Sequence, residues 1–182
     1  MTADQTLTYN YTFKLENEPA KTFDVHLDDK TLSALQPQRD SHPEWTALSC
    51  CKCPNCPLDE EEHPHCPIAV NLVEPVEFFK AMPSYQKIDV RLETDERTYT
   101  KQTTVQKGLS SLLGIYMVTS GCPVMDKLRP MVRFHLPFAT PQETAYRAVA
   151  MYLLAQYFLH RRGKEPDWEL KDLIRLYEVS RL

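Results

Sequence analysis

Residues 7–15 read Leu-Thr-Tyr-Asn-Tyr-Thr-Phe-Lys-Leu, and this short stretch decides the β part of the fold. Its large apolar side chains stand at every second position, with polar side chains between them. Because successive side chains of a strand point to opposite faces of a sheet, this period predicts a strand with one buried face. Tyrosine, phenylalanine and threonine also favour strands, which supports the same prediction.

Three further segments continue the pattern. Alternating apolar residues at 23–27 follow a turn predicted over 16–20, which completes a first hairpin. A third alternating run, 88–92, leads through a turn at 94–96 to a fourth strand over 97–101. We therefore expect two hairpins in a small antiparallel sheet with one wet face.

Helical patterns dominate the rest of the chain. Pro67 suits the first position of a helix expected over 68–82, which Pro75 is predicted to kink or split. Apolar residues at helical spacing over 105–116 predict a second helix. A short helix is expected after Pro123.

The clearest helix start is Thr140-Pro141-Gln142-Glu143, a capping box with proline at the first helical position. This helix is expected to run to Gly163, with the aromatic stripe of residues 141–159 facing the core. Asp167 is predicted to cap a last amphipathic helix. The sequence thus predicts one α+β domain over 1–182, with the sheet packed against a C-terminal helical layer.

A cysteine-rich and proline-rich loop, residues 36–67, separates the two hairpins. It holds all but one of the six cysteines and an acidic run over 59–62, without hydrophobic periodicity. Loops of this length inside a domain are usually functional or are held by something other than a hydrophobic core. Thiols stay reduced inside cells, so the cluster indicates metal binding or redox chemistry rather than a disulfide framework.

The spacing of the cysteines favours a metal site. Cys53 and Cys56 form a C-x-x-C pair, Cys66 follows, and Cys50 is the predicted fourth ligand. Zinc takes four such ligands in a tetrahedron and also accepts histidine. The alternates for the fourth position are Cys51, His63 and His65. Cys50 and Cys51 are not expected to bind the ion together, because the side chains of neighbouring cysteines point apart. Such a closed site is structural, which weighs against a zinc hydrolase.

An iron–sulfur cluster is the alternative. Cys50, Cys53 and Cys56 also read as C-x-x-C-x-x-C, and Cys66 is followed by proline, much as in bacterial ferredoxins. The gap before Cys66 is longer than in those proteins. The remaining interpretation is that the thiols are buried or form a labile disulfide.

A thiol-dependent enzyme is the second alternative, with Cys122 as nucleophile and His135 as its base. Cys122 precedes a predicted helix start, where the pKa of a thiol can fall. The simpler interpretation is a buried thiol and a histidine hydrogen-bonded within the core.

Composition limits the partners. The net charge of -4, with acidic and basic residues mixed, makes a nucleic-acid partner unexpected. Residues 1–10 have no basic or apolar leader, and the longest apolar run, 152–159, is too short for a bilayer, so neither a secretory signal nor a membrane span is expected. We expect a cytoplasmic protein whose metal loop serves as an interaction or regulatory module toward an unidentified protein partner.

The segments Ser120-Gly121-Cys122-Pro123, His135-Leu136-Pro137-Phe138 and Glu143-Thr144, together with the cysteine loop, resemble a family of uncharacterised bacterial proteins. The resemblance covers about the C-terminal two-thirds of the chain. It implies a bacterial origin and no particular activity.

Overall fold

A four-stranded antiparallel sheet forms the β layer. The structure is a computed structural model that describes residues 6–16, 19–35 and 41–179. The strands are β1 (Thr6–Lys14), β2 (Lys21–Asp28), β3 (Lys87–Glu93) and β4 (Thr98–Thr104). Their spatial order is β2-β1-β3-β4, so both predicted hairpins are confirmed and β1 joins them by pairing with β3. Residues 17 and 18 of the predicted first turn lie outside the described residues.

The strand register places the apolar side chains on one face. Tyr11 stands opposite Phe23 on β2 and opposite Leu92 on β3, while Phe13 stands opposite Val90. All five side chains are buried. The other face carries exposed polar pairs, which confirms the wet face expected from the alternation.

Five α-helices and two 3₁₀ helices accompany the sheet in the described part of the chain. They are α1 (Pro67–Asn71), α2 (Val73–Phe79), α3 (Val105–Thr119), α4 (Pro141–Arg161), α5 (Lys171–Val179) and the 3₁₀ helices Glu44–Thr46 and Met125–Val132. The helix expected over 68–82 is thus two short helices that meet at Leu72, as the predicted split near Pro75 required.

The apolar face of the sheet packs against α3 and the segments around it. Leu112 and Ile115 of α3 are fully buried in the same core as β1 and β3. Gly108 brings the helix close to the sheet, since a Cβ at this position would lie 2.8 Å from Cγ2 of Val90. The molecule is therefore α+β, with a sheet on a helical layer.

The capping box at the start of α4 is present as predicted. The hydroxyl of Thr140 accepts the Glu143 backbone N–H, and the Glu143 carboxylate accepts the Thr140 backbone N–H. Gly163 follows the helix end with φ +70°, a conformation suited to glycine.

Two expectations for the C-terminal helices are wrong in part. Tyr152 packs against the core, but Tyr146, Tyr157 and Phe158 are exposed, because α4 turns Ala148 and Gln156 toward the core instead. The last helix begins only at Lys171 rather than directly after Asp167, whose carboxylate accepts the Asp172 N–H from outside the helix. Within the described ranges, none of the helices combines the length and apolarity that crossing a bilayer requires.

Candidate metal centre

A short backbone frame organises the cysteine loop. The Cys66 N–H donates to the Thr46 carbonyl at 2.8 Å, and the Leu48 N–H donates to the Pro64 carbonyl at 2.8 Å. Between them, Ala47 and His65 form an antiparallel bridge. Thr46 and Leu48 are buried and anchor this frame in the protein. The loop is therefore more regular than its sequence suggests, although its first residues, 36–40, lie outside the described part of the chain.

The C-x-x-C pair sits on a tight turn. The Cys56 N–H donates to the Cys53 carbonyl at 2.9 Å, which closes the turn Cys53-Pro54-Asn55-Cys56. Proline fixes the backbone angle suited to the second position of such a turn, and asparagine is a common turn residue. The turn holds the two cysteines at neighbouring corners, as a metal-binding pair requires.

Cys66 and Cys122 stand at two helix ends that lie together. Cys66 is the N-cap residue of α1, with Pro67 in the first turn. Helix α1 packs against both the 3₁₀ helix Glu44–Thr46 and α3. Cys122 follows α3 by three residues, after Gly121 has turned the chain with φ +87°. Cys66 and Cys122 therefore flank two helices that pack against each other.

The electrostatics of Cys53 report the same neighbourhood. Partial burial raises the pKa of the Cys53 thiol, although the residue as a whole is exposed, and the thiols of Cys66, Cys56 and Cys122 raise it further. The thiol of Cys53 therefore has two other loop cysteines and Cys122 among its electrostatic neighbours. A surface cavity lined by Asn55 and Pro57 of the turn and by Pro123 beside Cys122 agrees with this placement.

The other predicted ligands, Cys50, Cys51, His63 and His65, make contacts of their own. The sulfurs of Cys50 and Cys51 are 3.4 Å from each other and exposed, and the Cys51 hydrogen bond raises the pKa of the Cys50 thiol. The Nδ1 of His65 is hydrogen-bonded to the Thr46 hydroxyl at 2.9 Å, and that hydroxyl donates to the Pro43 carbonyl. His63 is exposed.

The thiols of the described cysteines are not arranged around a common centre. Within residues 6–16, 19–35 and 41–179, no group of three or more His, Cys, Asp or Glu side chains is arranged so that it could hold a metal ion. Cys53, Cys56, Cys66 and Cys122 thus share a region of the structure without forming such a group.

His135 belongs to a different site. Its Nε2 lies 2.6 Å from the Tyr11 hydroxyl, which is 2.9 Å from the Ser111 hydroxyl. Burial lowers the pKa of His135 to about 3, so the ring is neutral at pH 7 and shares a neutral hydrogen bond with Tyr11. Among the described residues, no hydrogen bond joins His135 to Cys122.

One protein family matches the chain over residues 7–181, and its description is "Domain of unknown function (DUF6901)". The chain belongs to this family. The resemblance to an uncharacterised family is thereby confirmed, while the bacterial origin stays a prediction. No curated protein and no solved structure matches the DUF6901 chain.

The sequence carries a signal that singles out the same four cysteines. In the DUF6901 chain, proline directly follows Cys53, Cys56, Cys66 and Cys122, whereas Cys50 is followed by cysteine and Cys51 by lysine. Proline restricts the residue before it to extended backbone, and Cys66 has φ -68° and ψ 122°. The repeated Cys-Pro pair therefore groups Cys122 with three cysteines of the loop, which spacing along the loop alone did not.

Proposed function

We propose that this protein binds one structural zinc ion through Cys53, Cys56, Cys66 and Cys122. The observation that carries the proposal is the shared neighbourhood of the four cysteines that precede proline, three from the loop and one from the end of α3. This set keeps three of the four ligands expected from the sequence and replaces Cys50 with Cys122. Cys50 is less suited because its closest sulfur partner is Cys51.

The donor chemistry fits zinc. Four thiolates are a common structural zinc set, and a divalent cation favours the deprotonated thiol. The mutual repulsion that raises the pKa of Cys53 would become attraction to the ion. Binding requires the four thiols to rotate toward a common centre, because they do not form such a group at present.

The role that follows is structural. Four protein ligands leave no open position on zinc, so the ion would fasten the loop rather than activate water. It would join the Cys53–Cys56 turn and the start of α1 to the segment after α3. We infer a cytoplasmic protein in which this fastened loop, with its acidic run 59–62, forms an interaction or regulatory surface for a partner protein.

The two alternatives have less support. An iron–sulfur cluster would use the same thiolates, and only the metal content separates it from zinc. The enzyme hypothesis needs His135 as a base near Cys122, yet the His135 nitrogen Nε2 is hydrogen-bonded to Tyr11 and burial depresses the pKa of the ring to about 3.

Metal analysis of anaerobically purified protein tests the proposal. We expect about one zinc ion per chain and no absorption in the visible range. Iron together with a broad visible band would establish the cluster instead. A protein without either metal, even after refolding with added zinc, would refute metal binding.

Single substitutions identify the ligands. Cys53→Ser, Cys66→Ser and Cys122→Ser are expected to abolish stoichiometric zinc binding. Cys50→Ser is the matched control from the same loop and is expected to retain zinc. The reverse pattern, with zinc lost from Cys50→Ser and kept by Cys122→Ser, would restore the ligand set expected from spacing alone.

A further inference from the structure

Helix α4 has a second apolar face that points away from the core. Four large side chains on this face are exposed: Tyr146 (76%), Leu154 (58%), Tyr157 (46%) and Phe158 (52%). A surface helix normally keeps polar residues on the side opposite the core. Clustered apolar exposure of this kind marks an interaction surface.

Part of this outer face is symmetric in sequence about Tyr152, which itself faces inward. Glu143 and Arg161 are nine residues before and after it, Tyr146 and Phe158 are six, and Ala150 and Leu154 are two. At 3.6 residues per turn, positions nine or two residues from Tyr152 lie on the side opposite to it. The two ends of the face carry opposite charges: an acidic residue lies in the first turn of α4 and basic residues lie in the last.

We propose that two copies of this protein associate through α4, packed antiparallel across a twofold axis at the level of Tyr152. In such an interface a residue meets the residue of the other copy at the mirrored level and on the same flank of the face. Tyr146 then packs on Tyr157 of the second copy, and Leu154 packs on Ala150 of the second copy, whose small side chain allows close approach. The inference concerns a surface remote in sequence from the cysteine loop and does not depend on zinc.

The charges at the helix ends fit this antiparallel arrangement. Glu143 of one copy meets Arg161 of the other at both ends of the interface. The capping box uses Oε2 of Glu143 for both of its bonds, so Arg161 would approach from the side of Oε1. The dipoles of the two helices also run in opposite directions, which favours the pair.

The available area is enough for a modest dimer. With exposed fractions between 46% and 76%, the four large side chains offer roughly 400–500 Å² per copy, given side-chain areas of about 150–250 Å². Two copies with their flanking residues therefore approach the lower limit of stable interfaces, about 1,200 Å² in total. We expect a dissociation constant on the order of 1–100 μM.

Sedimentation analysis over a concentration series tests the association. The mass of the full chain is expected to rise from 21.1 kDa toward twice that value with concentration. Leu154→Glu puts two carboxylates near the twofold axis and is expected to keep the protein monomeric. Tyr85→Glu is the control, since Tyr85 is 80% exposed and lies outside α4. Circular dichroism confirms that both variants remain folded.

A charge-exchange experiment tests the antiparallel register. Arg161→Glu and Glu143→Arg each place like charges at both ends of a homodimer, so each alone is expected to associate at least about tenfold more weakly. Mixed together, they restore opposite charges at both ends and are expected to form a heterodimer. A wild-type protein that stays monomeric, a dimer insensitive to Leu154→Glu, or a mixture that associates no better than its components would each overturn the proposal.

Discussion

A buried tyrosine hydroxyl links the sheet to the helical layer. Tyr11 is fully buried on the central strand β1, and its hydroxyl reaches both Ser111 of α3 and His135. Ser111 in turn accepts the Phe138 backbone N–H. A buried polar group without a partner costs about 1–3 kcal/mol, so this chain of bonds explains how such groups remain stable within the core.

The low pKa of His135 makes stability depend on pH. Between pH 6.5 and the folded-state pKa of about 3, the unfolded chain binds a proton at His135 that the folded chain does not bind. The free energy of unfolding is therefore expected to fall as pH falls, by at most about 1.4 kcal/mol per pH unit. Urea denaturation at pH 7, 6 and 5 measures this slope.

The His135→Asn variant is the control for this prediction. It lacks the titrating ring, so its stability is expected to change less between pH 7 and pH 5 than that of the wild type. Carboxyl groups titrate mainly below this window. Parallel curves for the two proteins would contradict the assignment of the pH dependence to His135.

Single residues were identified from the sequence more readily than their partners. Cys122 and His135 both stood out, but their pairing with each other relied on closeness along the chain. The fold instead joins His135 to Tyr11, 124 residues away, and brings Cys122 near Cys53. Such contacts depend on how helices cross the sheet, which local side-chain patterns do not encode.

At the level of elements, α3 contains two glycines in contrasting surroundings. A methyl group at Gly108 would lie 2.8 Å from the Val90 side chain and 3.3 Å from that of Phe13, whereas nothing lies within 4 Å at Gly114. Gly108 is buried against the sheet and Gly114 is exposed. The first glycine is needed for packing, and the second is not.

This contrast predicts opposite effects of the same substitution. Gly108→Ala is expected to destabilise the protein by about 1–3 kcal/mol, because the core must shift to admit the methyl group. Gly114→Ala is expected to stabilise it by about 0.5–1 kcal/mol through higher helix propensity. Thermal and urea denaturation of both variants measure the difference. Equal effects of the two substitutions would show that α3 is not held tightly on the sheet.

Elements with strong local signals were predicted well. The strands followed from period-two alternation, and the start of α4 followed from its capping box. The exposure of Tyr146, Tyr157 and Phe158 on α4 was not predicted, because this helix is apolar on both sides and its pattern does not say which side meets the core. The start of α5 was predicted too early, because Asp167 lies in a loop ahead of the helix. From there, and not as the N-cap residue, its carboxylate accepts hydrogen bonds from the Asp172 N–H and the Tyr152 hydroxyl.

For the molecule as a whole, the proposed zinc ion would connect parts that the backbone keeps apart. Removing it with a chelator is expected to speed amide hydrogen exchange in two separate segments, about 47–66 and 120–126, while the strands keep their protection. Mass spectrometry of peptides after exchange measures this directly. The Cys50→Ser protein is expected to respond to the chelator as the wild type does.

Two outcomes would contradict this prediction. Unchanged exchange in both segments would mean that no metal connects them. A uniform increase over the whole chain would mean that the ion is needed for the entire fold, although the core of the sheet is built from apolar contacts.

The α+β class is confirmed by the arrangement of strands and helices, and the assignment of residues 1–182 to one domain stays a prediction.

The central position of β1 also has a consequence during synthesis on the ribosome. Strand β1 leaves the exit tunnel before β3 does, so at first it can pair only with β2. Its other edge stays unpaired until β3 at residues 87–93 emerges. At ~5–20 residues per second, that delay lasts roughly 4–16 s. A lone hairpin is only marginally stable in water, so during this interval the nascent chain exposes an unpaired strand edge that is prone to aggregate. Rapid overproduction in a host is therefore expected to yield inclusion bodies, and slower translation at reduced temperature more native protein.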